Sequence, residues 1–117
     1  MGDSTTSIDN IPTVTSATFE RLVLQGDGPI AVEFMSYSCA YCGAMEPIIQ
    51  QAAEMLSGKE TIFRVNIALE LDLAESFEIQ GTPTIIMFLN GSEVGRAEGA
   101  HPNISSLLAE LTQPFGA

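Results

Sequence analysis

The sequence predicts one α/β domain in which a mixed β-sheet is sandwiched between α-helices. Three observations carry this reading. Two near-continuous apolar runs, residues 30–35 and 84–89, have the length and branched or aromatic content of buried strands. Around them lie stretches with apolar residues at helical spacing, and strands that alternate with helices imply parallel pairing. The second run ends in Asn90-Gly91, a two-residue hairpin signal that calls for an antiparallel neighbour. A length of 117 residues is enough for one hydrophobic core and not for two.

In chain order, residues 1–12 are polar and rich in Ser and Thr, and are expected to form a flexible arm ahead of a domain over residues 13–117. Thr13-Val14 has the character of a short strand. Residues 16–24 carry Phe19, Leu22 and Val23 at helical spacing and close at Gly26-Asp27-Gly28-Pro29. The strand at 30–35 is apolar enough to be covered on both faces, with Glu33 as its one acid. Residues 43–56 read as a helix whose buried stripe is Met45, Ile48, Ile49, Ala52, Ala53 and Leu56. Pro47 lies inside it and should kink it, since proline has no N–H and its ring crowds the preceding turn. Residues 61–67 form the next strand, and 69–77 a short acidic helix burying Leu69, Leu73 and Phe77. After the hairpin, residues 93–98 return antiparallel and Gly99 ends them. A last helix over 104–111 is capped by Asn103.

Four basic residues against fifteen acidic ones give a net charge of −11. Phosphate recognition rests on Lys and Arg, so nucleic acid and anionic membrane surfaces are not expected partners. Neutral or basic proteins are. No apolar run approaches the ~20 residues needed to span a bilayer as a helix. The opening Met1-Gly2-Asp3-Ser4 has neither a basic nor an apolar leader region, so a cytoplasmic location is expected. A periplasmic or secreted location would require a leader outside this sequence.

Cys39-Ala40-Tyr41-Cys42-Gly43 holds the chain's two cysteines. The motif follows a strand and opens a helix. Helix starts present unpaired N–H groups and a partial positive charge, which favour a thiolate over a thiol. Two thiols at this spacing can close a disulfide with little backbone movement, and so can cycle between dithiol and disulfide. Two cysteines are too few for a disulfide-dense scaffold. Zinc would want four ligands, and His101 is the sole usual partner left, so no metal and no cofactor are expected.

Taken together, these motifs resemble a thioredoxin-like thiol-disulfide oxidoreductase over roughly residues 13–112. The resemblance rests on Val32-Glu33-Phe34, a strand carrying an acid, and on Cys39 to Cys42 at the active-site turn. It rests further on Pro47 in the following helix, on Gly81-Thr82-Pro83-Thr84 as a cis-proline loop, and on Asn90-Gly91 followed by Gly99-Ala100. It implies the thioredoxin fold, Cys39 as exposed nucleophile and Cys42 as the shielded resolving thiol. It implies Glu33 as a buried proton acceptor beneath Cys42, with Arg64 where the family tends to have a Lys beside that acid. Tyr41, Thr82, Pro83, Gly99 and Ala100 would contact substrate, and a cis bond at Pro83 would turn the backbone of Thr82 toward Cys39. The implied partners are protein disulfides and a thioredoxin-reductase-like electron donor, and the protein is expected to be a monomer.

Departures from the family pattern are visible. Ser38 stands where a Trp is usual, Ala40-Tyr41 replaces Gly-Pro, Gly43 replaces a common Lys, Glu33 replaces an Asp, and Glu98 puts a carboxylate where the family tends to be apolar. The residues point to a reductase. An oxidase or isomerase on the same fold, a redox-inert docking module, and cluster or metal binding through a dimer stay open at this point.

Overall fold

The apolar run after Gly28 becomes the pivot of the sheet in the computed structural model, which describes residues 9–116. Strand β1 (Pro29–Met35) pairs in parallel with β2 (Thr61–Asn66) and antiparallel with β3 (Thr84–Leu89). Strand β4 (Ser92–Glu98) adds antiparallel to β3, giving the order β2-β1-β3-β4. Side chains alternate across the pleat, so each strand feeds two layers. Toward one face point Ala31, Ile62, Ile85 and Met87, covered by helices α1 (Ala40–Met55) and α3 (Ile104–Thr112) through Met45, Ile49, Leu107 and Leu111. Toward the other point Val32, Phe34, Val65, Ile86 and Phe88, packed on Phe19, Val23 and Phe77. The Phe rings of this layer meet at centroid separations of 5.3–6.0 Å. Each fully buried Phe contributes about 1.5–3 kcal/mol by leaving water. This is the mixed sheet between helices that the sequence predicts.

The hairpin forms where Asn90-Gly91 places it. Both residues have positive φ, 51° and 87°, as a tight turn matched to the twist of the strands requires. A Cβ at position 91 would collide with the Leu24 carbonyl, so only glycine fits. The Asn90 side chain accepts a bond from Gly28 N–H at 2.8 Å and ties the turn to the start of β1. Asn103 caps α3 by accepting from Ser106 N–H at 2.8 Å, as expected.

Several expectations are corrected. Helix α1 starts at Ala40 rather than Gly43, because the motif itself forms the first turn. The expected helix over 16–24 is a single π-helical turn, Glu20–Leu24, closed by Gln25 N–H to Glu20 C=O at 2.8 Å. Its entry is held by Glu70, which accepts from Ser16 N–H and Oγ–H at 2.9 and 2.7 Å. The acidic helix is shortened to α2 (Leu71–Ser76), and Leu69 is 76% exposed rather than buried. Ala74 takes the buried position instead, because Asn66 C=O captures Leu69 and Glu70 N–H in a tight loop ahead of the helix.

Residues 1–8 of the expected arm lie outside the described residues. Residues 9–12 are not a loose arm: Ile11 is buried in the core, and Asn10 N–H donates to Gln50 at 2.9 Å. Thr13 makes a single parallel bridge to Arg64, flanked by Arg64 N–H to Pro12 C=O and Val14 N–H to Arg64 C=O. The segment thereby covers the outer edge of β2, which would otherwise expose unpaired backbone groups.

Glu60, just before β2, is 8% exposed and its Oε2 has no partner among the described residues. Burial pushes its carboxyl up to about 7 from 4.5. Between those two values the folded chain holds a proton that the unfolded chain has released, so stability falls as pH rises through this window and is flat above it. Glu60→Gln removes that penalty. The variant should match the parent below pH 4.5 and exceed it by about 2–3 kcal/mol above pH 7, measured by urea unfolding at both ends. An equal gain at both ends would show that ionisation is not the cause.

Candidate active site

Strand β1 ends at Met35, and Ser36-Tyr37-Ser38 turns the chain into α1. Cys39 N–H donates to Ser36 C=O at 3.1 Å, and the Ser36 and Ser38 hydroxyls bond each other at 2.9 Å. This turn leaves Cys39 extended, at φ −86° and ψ 117°, in the N-cap position. A cap needs an acceptor for the unpaired N–H groups of the first turn, a role usually taken by Ser, Thr, Asp or Asn. Here the Cys39 sulfur takes it, accepting from Cys42 N–H at 3.2 Å.

The two thiols consequently sit in different environments. Cys39 is partly exposed and Cys42 is 2% exposed, packed one turn into the helix. Burial and the bond with Cys39 push the Cys42 thiol up to about 11. Burial also opposes ionisation of Cys39, but its bonds with the Cys42 thiol and with the N–H groups of Cys42 and Tyr41 outweigh this and lower its pKa. Tyr41 itself is 70% exposed beside the motif.

The Thr82-Pro83 peptide bond is cis, and the Cys39 thiol lies 3.5 Å from the Thr82 carbonyl oxygen, to which it donates. Thr84 Oγ–H donates to Gly81 C=O at 2.7 Å, and Gly99 N–H to Pro83 C=O at 2.9 Å, so the loop is tied at both ends. Gly99 has a φ of +88°, which suits glycine. Thr82, Gly99 and Glu98 line one shallow cleft of about 270 Å³ beside Cys39. Ala100 faces a separate cleft with Met45 and His101. The structure thus brings Cys39, Cys42, Thr82, Pro83 and Gly99 together, and leaves Ala100 to one side.

Behind Cys42 lies a cavity of about 510 Å³ lined in part by Gly43, Glu46, Pro47, Gln50 and Arg64. Helix α1 runs on through Pro47, whose missing N–H leaves the Gly43 carbonyl without a helical donor. Glu33 is fully buried on β1, and Arg64, its register partner on β2, is 2% exposed. Arg64 Nε donates to Glu33 Oε1 at 3.4 Å, while Glu33 Oε2 has no partner among the described residues. Burial raises the Glu33 carboxyl to about 7 against the pull of Arg64, and the Glu46 charge adds to the rise.

Two acids that the sequence did not single out for this cluster complete it. Both Glu46 oxygens accept from Arg64 Nη2 at 2.6 Å. Asp9 Oδ2 lies 3.6 Å from Arg64 Nη1, and Gln50 bridges Asp9 and Glu46 with two bonds of 2.8 Å. The available signal was that Glu46 stands one helical turn from both Cys42 and Gln50, in a chain with few cations to share. His101 is engaged with Ser106 Oγ at 3.0 Å. Among the described residues no cluster of three metal-binding side chains occurs.

Such a site can carry out thiol-disulfide exchange: an accessible thiol that ionises readily, a second thiol one turn away, and a buried carboxyl that titrates near neutrality. The comparisons agree with the geometry. The family model described as Thioredoxin matches residues 10–113. A protein described as Thioredoxin from Pseudomonas aeruginosa is 30% identical over 92 residues, 79% of this chain and 85% of its own. Another from Alicyclobacillus acidocaldarius is 31% identical over 103 residues, 86% of this chain and 97% of its own. A Medicago sativa protein described as a probable protein disulfide-isomerase A6 is 26% identical over 113 residues, 95% of this chain but 31% of its own.

Removing the Tyr41 N–H tests how much the first turn contributes. Position 41 needs no helical donor, so Tyr41→Pro should fold. A hydrogen bond to a charged group is worth about 1.5–3 kcal/mol, so the variant should raise the Cys39 pKa and lower the reduction potential by up to about 60 mV. Titration against a dithiothreitol redox buffer reads the change. An equal or higher potential would show that this amide does not set it.

Proposed function

Because this chain belongs to the thioredoxin family and is a thiol-disulfide oxidoreductase, we propose that it acts as a reductase of disulfides in other proteins. The observation that carries this reading is the asymmetry of the two thiols, with Cys39 accessible and readily ionised and Cys42 buried and protonated. Cys39 thiolate attacks one sulfur of the substrate disulfide, forming a mixed disulfide and releasing the first substrate thiolate. Cys42 then attacks Cys39 sulfur, closing the Cys39–Cys42 disulfide and releasing the second substrate thiolate. Its proton passes to Glu33, whose carboxyl titrates near neutrality and so can both accept and release it. An external dithiol donor of the thioredoxin-reductase kind restores the dithiol. The backbone of Thr82, whose carbonyl meets the Cys39 thiol, pairs with an extended substrate segment as an added strand once that thiol engages the substrate. Tyr41, Pro83 and Gly99 border it.

None of the chain's four basic residues lies in the loops around Cys39, whereas Glu98 lines the cleft with Thr82. Substrates are accordingly neutral or basic. A working site of this kind fits a reducing compartment such as the cytoplasm, and no helix among the described residues is long and apolar enough to cross a membrane. The oxidase or isomerase reading shares every residue and differs in reduction potential alone. A potential clearly above the cytosolic glutathione poise of about −220 mV would favour it.

Turnover is tested by dithiothreitol-driven reduction of insulin. The parent should be active and Cys39→Ser inactive. Cys42→Ser should accumulate a mixed disulfide with insulin, seen as a higher-mass species that dithiothreitol dissolves, because attack proceeds and resolution does not. Trapping by Cys39→Ser and not by Cys42→Ser would reverse the roles. An inactive parent would leave a docking module as the reading.

A further inference from the structure

Three carboxylates compete for one guanidinium beside Cys42. Arg64 projects from β2 into the space between the sheet and α1, and each of its nitrogens meets a different acid: Nε reaches Glu33, Nη1 reaches Asp9 and Nη2 reaches Glu46. The division is unequal. Glu46 holds Nη2 with both oxygens at 2.6 Å, while buried Glu33 receives one contact at 3.4 Å and keeps an oxygen unpartnered. Gln50 locks the arrangement by donating 2.8 Å bonds to both Glu46 and Asp9. The groups acting on Glu33 are Arg64 from β2 and Glu46 from α1, with apolar Ile85 beside it on β3, while Asp9 from the leading segment meets Arg64 on its far side.

This geometry points to Glu46 as a positioning residue, assisted by Asp9, that draws the Arg64 guanidinium outward and so withholds it from Glu33. A guanidinium fully paired with Glu33 would hold that carboxyl ionised across the neutral range, able to attract a proton but not to keep one. With Arg64 claimed from outside, burial decides, and the Glu33 carboxyl rises to about 7. Cys42 and Arg64 line the same cavity, and Arg64 Nε reaches Glu33, so this guanidinium links the acid to the surroundings of the resolving thiol. In the step it serves, the Cys42 S–H bond and the bond between Cys39 and the substrate sulfur break. The Cys39–Cys42 bond forms, the proton goes to Glu33, and the electron pair leaves on the substrate thiolate. The inference rests on the exchange reaction proposed above for Glu33 and adds what sets its proton affinity.

Glu46→Gln removes a negative charge near Glu33 and frees Arg64 to pair with it. Both changes act in one direction and should lower the Glu33 midpoint by about 1 pH unit or more. Carboxyl-carbon NMR of the reduced protein reads this directly, with Glu33→Gln identifying the resonance. Asp9→Asn, at an exposed position farther from Arg64, should lower the midpoint by less. The rising limb of turnover against pH should move acidward by the same increment in each variant. A Glu33 midpoint that stays at the parent value, or rises, in Glu46→Gln overturns the inference. Should that variant not fold, Asp9→Asn decides it by the same criterion. The titration does not depend on turnover, so an inactive parent would sink the reductase reading and leave this measurement standing.

Discussion

The bond from Cys42 N–H to the Cys39 sulfur is the constraint on which the rest of this structure depends. It makes the Cys39 sulfur the cap of α1. A cap of this kind starts the helix one residue after Cys39, and that start fixes which faces turn inward. Cys42, Met45, Ile49, Ala52 and Ala53 follow along the buried side. The same bond places the sulfur where the helix dipole and the N–H groups of Tyr41 and Cys42 favour a thiolate. Burying Cys42 one turn later disfavours its ionisation. A single backbone arrangement therefore produces both the fold of the helix and the unlike chemistry of the two thiols.

A second constraint lies across the sheet. Placing Glu33 on a strand covered on both faces would leave a desolvated charge, and a buried charge is tolerated when paired or protonated. Arg64 supplies partial pairing, shared with two acids nearer solvent. Four cations serve the whole chain, and one of them is spent here. The leading segment, anchored by Asp9, Asn10 and Ile11, closes the outer side of this cluster and of β2 together.

How much of this was legible in the sequence follows from the range of the interactions involved. The sheet strands and the hairpin were legible because strand burial and Asn-Gly turn chemistry are local. The cap at Asn103 was legible for the same reason, whereas the start of α1 at Ala40, capped by the Cys39 sulfur, was read three residues too late. The placement of Glu33 beside Arg64 followed from the family resemblance. What escaped depends on contacts between distant segments. Leu69 continues a helical period, yet the Asn66 carbonyl draws the loop aside and exposes it. The polar residues 9–12 look like a tail, yet Gln50 and Arg64 hold them down. Glu46 reads as a surface charge on α1 until the register of β1 with β2 brings Arg64 beneath it.

Thiol asymmetry is the central claim, and a pH titration of thiolate absorbance on the reduced protein tests it most directly. Single-serine variants assign each step to one cysteine. The account predicts one thiolate appearing below the ordinary thiol value of 9, assigned to Cys39, and a second appearing only near 11, assigned to Cys42. Two thiols that both titrate near 9 would contradict it, because the start of α1 would then confer no preference on either sulfur.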